Sequence, residues 1–337
     1  MRTAILVGAG ASAFGPGIVR VKQGLSGAPV LETENPPLGS GLYRALASTY
    51  PDSWGRLDWP DNGENFEHQM RVALDEYLRL ADDSDRYRFE ATLTQFIEFF
   101  TNFRLNSESL YSKMVSELIR NALLVTESPN SDFTFASLNY ERLLEFALQE
   151  HGVIPWHNSR PDEKAGRVAV WKPHGSCHFA LSPPDSEQTR FMYMREEVIA
   201  GGEGVRVLSS SGIHQYLDDW FASRQAGFLY PGMVFSLYEP TKVPLQGTRA
   251  LAKMRERYAQ DFSTSDVVVL IGVSYNAADS HIFEPIMQSK SRVLYVGPPT
   301  DPRLPMLEAA LGSRLEIIAD SFEAALESER LVTALLA

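Results

Sequence analysis

Gly8-Ala9-Gly10-Ala11-Ser12 follows a five-residue apolar run, Thr3-Ala4-Ile5-Leu6-Val7, and its residue types suit an anionic ligand. Glycines let the backbone approach a pyrophosphate, and a helix opening just after them would add unpaired N–H groups and positive partial charge. The same spacing also serves where a strand only packs closely against a helix, so both readings stand. Asn139, in Ser137-Leu138-Asn139-Tyr140-Glu141, could orient a water or a ribose hydroxyl, or could cap a helix over 140–150. His174, in His174-Gly175-Ser176, could act as a general base or be structural. Gly272-Val273-Ser274-Tyr275-Asn276, with Asp279 and His281 behind it, comes near the G-x-S-x-G turn of serine hydrolases. Asn276 stands where that turn needs glycine, and Asp279 and His281 are too near Ser274 to come from separate strand ends, so esterase chemistry is disfavoured. His174, Cys177 and His178 lie close together, but they follow a strand and include a Gly, so helical i,i+4 geometry is not expected, the other ligands are unknown, and no metal is expected there.

Each of these stretches follows an apolar run, which is where open α/β sheets bind their ligands. The run over 3–7 has no helical period and reads as a buried strand. Residues 15–63 are rich in Gly, Pro and Asn, so loops are expected apart from a short helix over 41–48. Phe66, Met70, Leu74 and Leu78 recur at helical spacing, as do Leu93, Phe96, Ile97, Phe100 and Phe103, and then Leu110, Met114, Leu118 and Ile119. The spacing predicts three amphipathic helices over 64–127 whose aromatics belong to a core. Further strands are expected over 132–137, 168–171, 233–235, 267–271, 292–296 and 315–318, with a helix over 140–150 and a closing helix over 321–336. Strands alternating with helices predict an α/β fold, a doubly wound, Rossmann-like parallel sheet built from 1–63 and 128–337. Residues 64–127 form a helical insertion, the smaller domain.

Composition narrows the function further. Across 337 residues, 31 Lys+Arg against 43 Asp+Glu leave a formal charge of −12, so no basic field holds a polyanion and direct nucleic-acid binding is not expected. Cys177 is the only cysteine, which excludes an internal disulfide framework and a zinc site of several thiolates, and a reducing, cytoplasmic setting is expected. No apolar run nears the roughly 20 residues of a membrane span. Arg2, the apolar run over 4–7 and Ala11-Ser12-Ala13 imitate a signal peptide, but these parts occupy fewer residues than the roughly 15 to 30 such a signal needs.

In this order and spacing the motifs resemble the sirtuin superfamily. Gly8-Ala9-Gly10-Ala11-Ser12 resembles its first-strand turn, Ser137-Leu138-Asn139-Tyr140-Glu141 its Thr-x-Asn-x-Asp motif, His174-Gly175 its His-Gly pair, and Gly272-Val273-Ser274 its Gly-x-Ser turn. Leu229-Tyr230-Pro231-Gly232-Met233-Val234-Phe235 is a fainter echo of the Pro-containing strand of deacetylases. Residues 176–230 hold only Cys177 where deacetylases carry a four-cysteine zinc ribbon. Ser236-Leu237-Tyr238-Glu239 is a poor match to the acyl-lysine clamp, Glu141 replaces the usual Asp, and Val296-Gly297-Pro298 lacks the late Asn that binds ribose. The chain thus looks like the zinc-free sirtuin-like branch of bacterial antiphage defence, whose members cleave NAD to nicotinamide and ADP-ribose.

That resemblance implies an NAD glycohydrolase with NAD as its substrate and no zinc. Asn139 would orient water or ribose and His174 would act as general base. Gly8, Ala9, Gly10, Ala11 and Ser12 would cradle the pyrophosphate, Glu141 would belong to the same cofactor site, and Gly272 and Ser274 would lie near phosphate or the adenosine ribose. A homo-oligomer or an activating partner protein is expected of a toxic hydrolase that must stay off until needed. Two rivals remain. A nicotinamide or flavin oxidoreductase would need an acidic residue ending a second strand, for which Glu32 and Glu34 stand near the right distance. A non-catalytic sensor of NAD or ADP-ribose would bind without turnover and act through a partner.

Overall fold

The computed structural model describes residues 1–23, 28–56, 83–127, 132–158, 166–181, 205–209, 211–216, 233–235 and 248–337. The chain divides into two compact units, Met1–Pro36 with Phe103–Pro173 and Ala252–Ala337, and Pro37–Asn102 with His174–Leu251.

The first unit is built on a seven-stranded parallel sheet among the described residues. Its strands are β1 (Thr3–Val7), β5 (Phe133–Ser137), β6 (Ile154–Trp156), β7 (Arg167–Trp171), β11 (Val267–Ile271), β12 (Arg292–Val296) and β13 (Leu315–Ala319). Their order across the sheet is β13-β12-β11-β1-β5-β7-β6. β1, β5 and β11 are buried at every residue because both faces are covered, which is why they read as continuous apolar runs rather than alternating ones. β1 pairs with β5 on one side and β11 on the other, Val7 lying opposite both Ser137 and Ile271. The chain therefore leaves the centre in one direction and later returns to build the other half, so the C-terminal ends of β1 and β11 flank the point where strand order reverses.

Helices α1 (Ala9–Ala13), α4 (Leu110–Arg120), α5 (Leu143–Glu150), α7 (Ser280–Gln288), α8 (Leu304–Leu311), α9 (Phe322–Glu327) and α10 (Arg330–Leu336) also belong to this unit. α4 buries Leu110, Tyr111, Met114, Val115 and Leu118 as one stripe and packs on α5. It therefore counts with the sheet, although its position in the sequence lies inside the expected insertion over 64–127. The expected closing helix is broken into α9 and α10 at Glu329, whose backbone turns left-handed with φ +53°.

Two departures from expectation involve β-structure. β2 (Ile18–Gln23) and β3 (Pro29–Thr33) form an antiparallel hairpin in the stretch expected to be loop, and β2 also pairs with β4 (Phe103–Leu105). β3 is exposed along its length and is held by Lys22 to Glu32 and Glu34, and Arg20 to Glu34, so it carries no buried face to betray it. In the second unit, β8 (Gly175–Leu181), β9 (Val205–Val207) and β10 (Met233–Phe235) form an antiparallel sheet in the order β10-β8-β9. The strand expected over 233–235 exists but does not join the parallel sheet.

The second unit also contains α2 (Gly39–Thr49), matching the short helix expected over 41–48, and α3 (Asp83–Thr101), which packs on β8. Phe96, Phe99 and Phe100 are core, with edge-on ring contacts at 5.0 and 5.3 Å. The first expected helix of the insertion, with Phe66, Met70, Leu74 and Leu78, lies outside the described residues, as do 229–232 and 236–239. α6 (Thr248–Thr264) runs from the second unit into the first and places Asp261 beneath the sheet.

Candidate functional site

Two glycine turns meet where the strand order reverses. The amide of Gly8 donates to Ile271 O at 2.9 Å, and that of Gly10 to Gly272 O at 3.0 Å. A Cβ on Gly8 would lie 2.6 Å from Gly272 O, and one on Gly272 would lie 2.1 Å from Ala11 N. Gly272 also has φ +60°, a conformation unfavourable for other residues. The glycines after β1 and β11 are therefore required by the contact of one turn with the other. Of the amides expected to cradle a pyrophosphate, those of Gly8, Gly10 and Ala11 are donated to backbone carbonyls, the last to Gly8 O at 3.1 Å. Ala9 is exposed at the start of α1.

Just beyond β5, Asn139 is 7% exposed and its side chain is held from one end only. Its Nδ2 faces Glu141 Oε1 at 2.9 Å, Ser12 Oγ at 3.0 Å, Gly8 O at 3.1 Å and Tyr111 OH at 3.4 Å. A carbonyl and a carboxylate among these acceptors settle which end of the amide is nitrogen. Asn139 Oδ1 is buried and has no hydrogen-bond partner. α5 begins at Leu143, and its first amide is met by Glu141 Oε2 at 3.3 Å, so Asn139 does not cap that helix. Of the two readings open in the sequence, the capping role is removed.

Glu141 and Ser12 stand behind Asn139. Ser12 Oγ donates to Glu141 Oε1 at 2.6 Å and lies 2.8 Å from Tyr111 OH. Burial pushes the Glu141 carboxyl up from its ordinary range, opposed by the nearby Lys172 ammonium. Burial, then the Glu141 charge, pushes the Tyr111 phenol well above its ordinary value. Glu141 Oε1 and the Ser12 hydroxyl are thus engaged in aligning the amide, while Glu141 Oε2 meets the first amide of α5, and these two residues, expected to contact a cofactor, support Asn139 within this network.

Lys172 follows β7 and is fully buried. Its Nζ donates to Glu141 O at 2.7 Å, reaches Ser137 Oγ at 3.5 Å and pairs with Glu145 Oε1 at 3.4 Å. Removing one member of such a buried pair costs about 3–5 kcal/mol, because it strands the other charge. His157 Nδ1 lies 2.8 Å from Val170 O, and burial pushes its imidazole down to about 4 against the attraction of Glu145. Beneath the sheet, Trp171 Nε1 donates to Asp261 Oδ2 at 2.8 Å, tying β7 to α6.

The fold thus brings together Gly8, Ala9, Gly10, Ala11, Ser12, Asn139, Glu141 and Gly272, drawn from three sequence motifs. Ser274, two residues past Gly272, is exposed. Asn276 caps a short 3-10 turn by accepting Ala278 N at 3.1 Å, which explains that residue without a nucleophile elbow. Glu32 and Glu34 are ion-paired on the hairpin and do not end a strand of the parallel sheet, where the oxidoreductase reading needs an acidic residue.

His174 opens the second segment of the second unit and is 6% exposed. Cys177 and His178 are successive residues of β8 and face opposite sides of it, with Ser176 Oγ 2.8 Å from His178 Nδ1. Sequence reasoning missed Tyr111 and Lys172. Tyr111 reads as one more apolar position of a helix, whereas Lys172, a cation directly prolonging the buried run over 168–171, was a signal open to use.

No family model and no curated protein matches the chain. Among solved structures, similarity is found to one described as the structural basis for the mechanism and regulation of Sir2 enzymes, at 14% identity and TM-score 0.42, covering 98% of this chain and 93% of the other. A mutant Sir2 homologue in complex with ADP ribose matches at 15% identity and TM-score 0.37, covering 99% and 93%. Sir2 in complex with an inhibitor, 2′-O-acetyl-ADP-ribose and a deacetylated peptide matches at 12% identity and TM-score 0.40, also covering 99% and 93%. The α/β class rests on the sheet itself, and the ligands named are those proteins' own.

Proposed function

We propose that the chain is an NAD glycohydrolase that releases nicotinamide and ADP-ribose and serves as an effector of antiphage defence. The observation that carries the reading is Asn139, whose amide nitrogen is anchored by Glu141, Ser12 and Gly8 while its buried Oδ1 has no partner. An oriented acceptor of this kind, at the carboxyl end of a central strand beside the reversal of strand order, suits a ribose hydroxyl or an attacking water. The support is the residue's own geometry together with the order of the four motifs.

In the reaction, the bond from ribose C1′ to the nicotinamide nitrogen breaks and its electron pair leaves with nicotinamide. The sugar passes through an oxocarbenium-like state, water oxygen bonds to C1′, and a proton is lost. Asn139 Oδ1 accepts a hydrogen bond from the water or a ribose hydroxyl, fixing it before bond breaking rather than during it. His174 is assigned the proton by its match to the His-Gly pair. Assembly or a partner protein is proposed as the control that keeps such an activity off.

Nicotinamide release from NAD, followed by chromatography over a protein concentration series with His174→Ala beside wild type, tests the reading. Turnover that is lost in the variant supports it, and a rate per molecule that rises with concentration adds activation by assembly. NAD binding measured by calorimetry with no turnover at any concentration would instead indicate a sensor.

A further inference from the structure

We infer that Lys172 is a positioning residue that sets Asn139 for reaction by clamping both ends of the segment that carries it. The inference rests on the glycohydrolase reading for its kinetic consequence, but its structural content is independent of it. Ser137 ends β5 opposite Val7, and Leu138 N donates to Val7 O at 3.0 Å, after which residues 139–142 run as irregular backbone. Lys172 Nζ holds the far end of this span by donating to Glu141 O at 2.7 Å and reaches back to Ser137 Oγ at 3.5 Å. Ser137 Oγ in turn accepts the Asn139 backbone amide at 3.2 Å, which carries the clamp to the residue itself. Lys172 is wholly shielded from water, and its charge is answered by Glu145 at 3.4 Å.

Burying an ammonium is costly, and apolar residues of similar volume usually hold a core together as well or better. Stability alone therefore does not account for a lysine here. What an apolar side chain lacks is hydrogens for a main-chain carbonyl and a hydroxyl on either side of Asn139. The two functions of Lys172 can be separated by experiment. Glu145 supplies the countercharge and makes neither loop contact, so the ion pair can be broken while the clamp is kept, or both charges removed with the core kept apolar.

Three variants are compared with wild type, all measured as kcat and KM for NAD per folded molecule. Lys172→Met removes the clamp and strands Glu145. The double variant Lys172→Met with Glu145→Leu removes the clamp without leaving a buried charge, and serves where the single variant fails to fold. Glu145→Gln breaks the ion pair and leaves Nζ its two loop acceptors. The double variant is expected to lose at least about tenfold in kcat with KM within about twofold, as for a group that acts by orienting another. Glu145→Gln is expected to lose stability while keeping kcat within about threefold. A folded double variant with wild-type kcat, or equal kcat losses in the double variant and Glu145→Gln, would overturn the inference.

A second readout does not depend on turnover. In asparagine-labelled protein, the side-chain amide signals of Asn139, identified by their disappearance in Asn139→Ala, are expected to shift and broaden in the double variant but not in Glu145→Gln. Unchanged signals in the double variant would refute the clamp. If wild type releases no nicotinamide while the signals respond as expected, the functional reading fails and the positioning role stands.

Discussion

Replacing Gly272 by alanine tests whether contact between the two glycine turns holds the centre of the sheet's carboxyl edge. Two costs can be worked out from the geometry. Gly272 has φ +60°, where an L-residue pays about 1–2 kcal/mol. The new Cβ would lie 2.1 Å from Ala11 N and 2.6 Å from Gly10 C, both backbone atoms that cannot rotate away. Relief requires the turns to separate, which gives up the Gly10 amide to Gly272 carbonyl bond, worth about 0.5–1.5 kcal/mol. The expected loss is therefore about 1.5–3.5 kcal/mol, less the roughly 0.4–1 kcal/mol that alanine gains by restricting the unfolded chain. Gly152, at the end of α5, is the internal reference: its φ is +76°, yet the nearest atom to a Cβ placed there is Thr126 Cγ2 at 3.7 Å, an ordinary contact. Gly152→Ala pays for conformation alone, about 1 kcal/mol after the entropy that alanine removes from the unfolded chain. Urea unfolding of both variants beside wild type reads the difference as a midpoint shift at unchanged slope. A Gly272→Ala midpoint no lower than that of Gly152→Ala would refute the claim that turn-to-turn contact requires this glycine.

His157 titrates at about 4 in the folded chain against an ordinary 6.5, so between those values the unfolded state binds the extra proton. Its stabilising contribution is complete above pH 6.5 and is lost as pH falls toward 4, by up to about 3 kcal/mol. Glu141, raised by burial, acts with the opposite sign in both proteins, so a shallower fall in unfolding free energy for His157→Phe than for wild type between pH 7 and 5 checks the assignment; parallel curves would contradict it. Asp261→Ala leaves the Trp171 indole N–H buried without its acceptor and is expected to cost about 1–3 kcal/mol in the same unfolding assay, with a change below about 0.5 kcal/mol counting against that anchor.

The parallel sheet was legible because strands buried on both faces leave near-continuous apolar runs, as β1, β5, β7, β11 and β12 do, whereas the half-exposed edge strand β13 showed only in part. The hairpin of β2 and β3 was not legible: β3 faces solvent along its whole length and carries ion-paired charges at Glu32 and beside it at Glu34, so it shows no buried apolar alternation. β8 was hidden because its residues follow His174-Gly175 and were weighed as ligands rather than as a strand. Within the site, Asn139 and the glycines stood out by residue type and by position after apolar runs. Their division of labour did not, since only three-dimensional contact shows that Gly8 and Gly272 serve each other and that Glu141 and Ser12 serve Asn139. Lys172 lies next to a recognised motif, yet its partners Ser137, Glu141 and Glu145 are some thirty residues earlier in the chain.

The most direct test of the central claim is nicotinamide release from NAD by Asn139→Ala against wild type, at equal concentrations of folded protein. Loss of one preorganised polar group from a reacting centre predicts a fall of at least about 100-fold per folded molecule. A folded Asn139→Ala protein that keeps half or more of wild-type turnover would contradict the assignment of this residue as the centre of the chemistry.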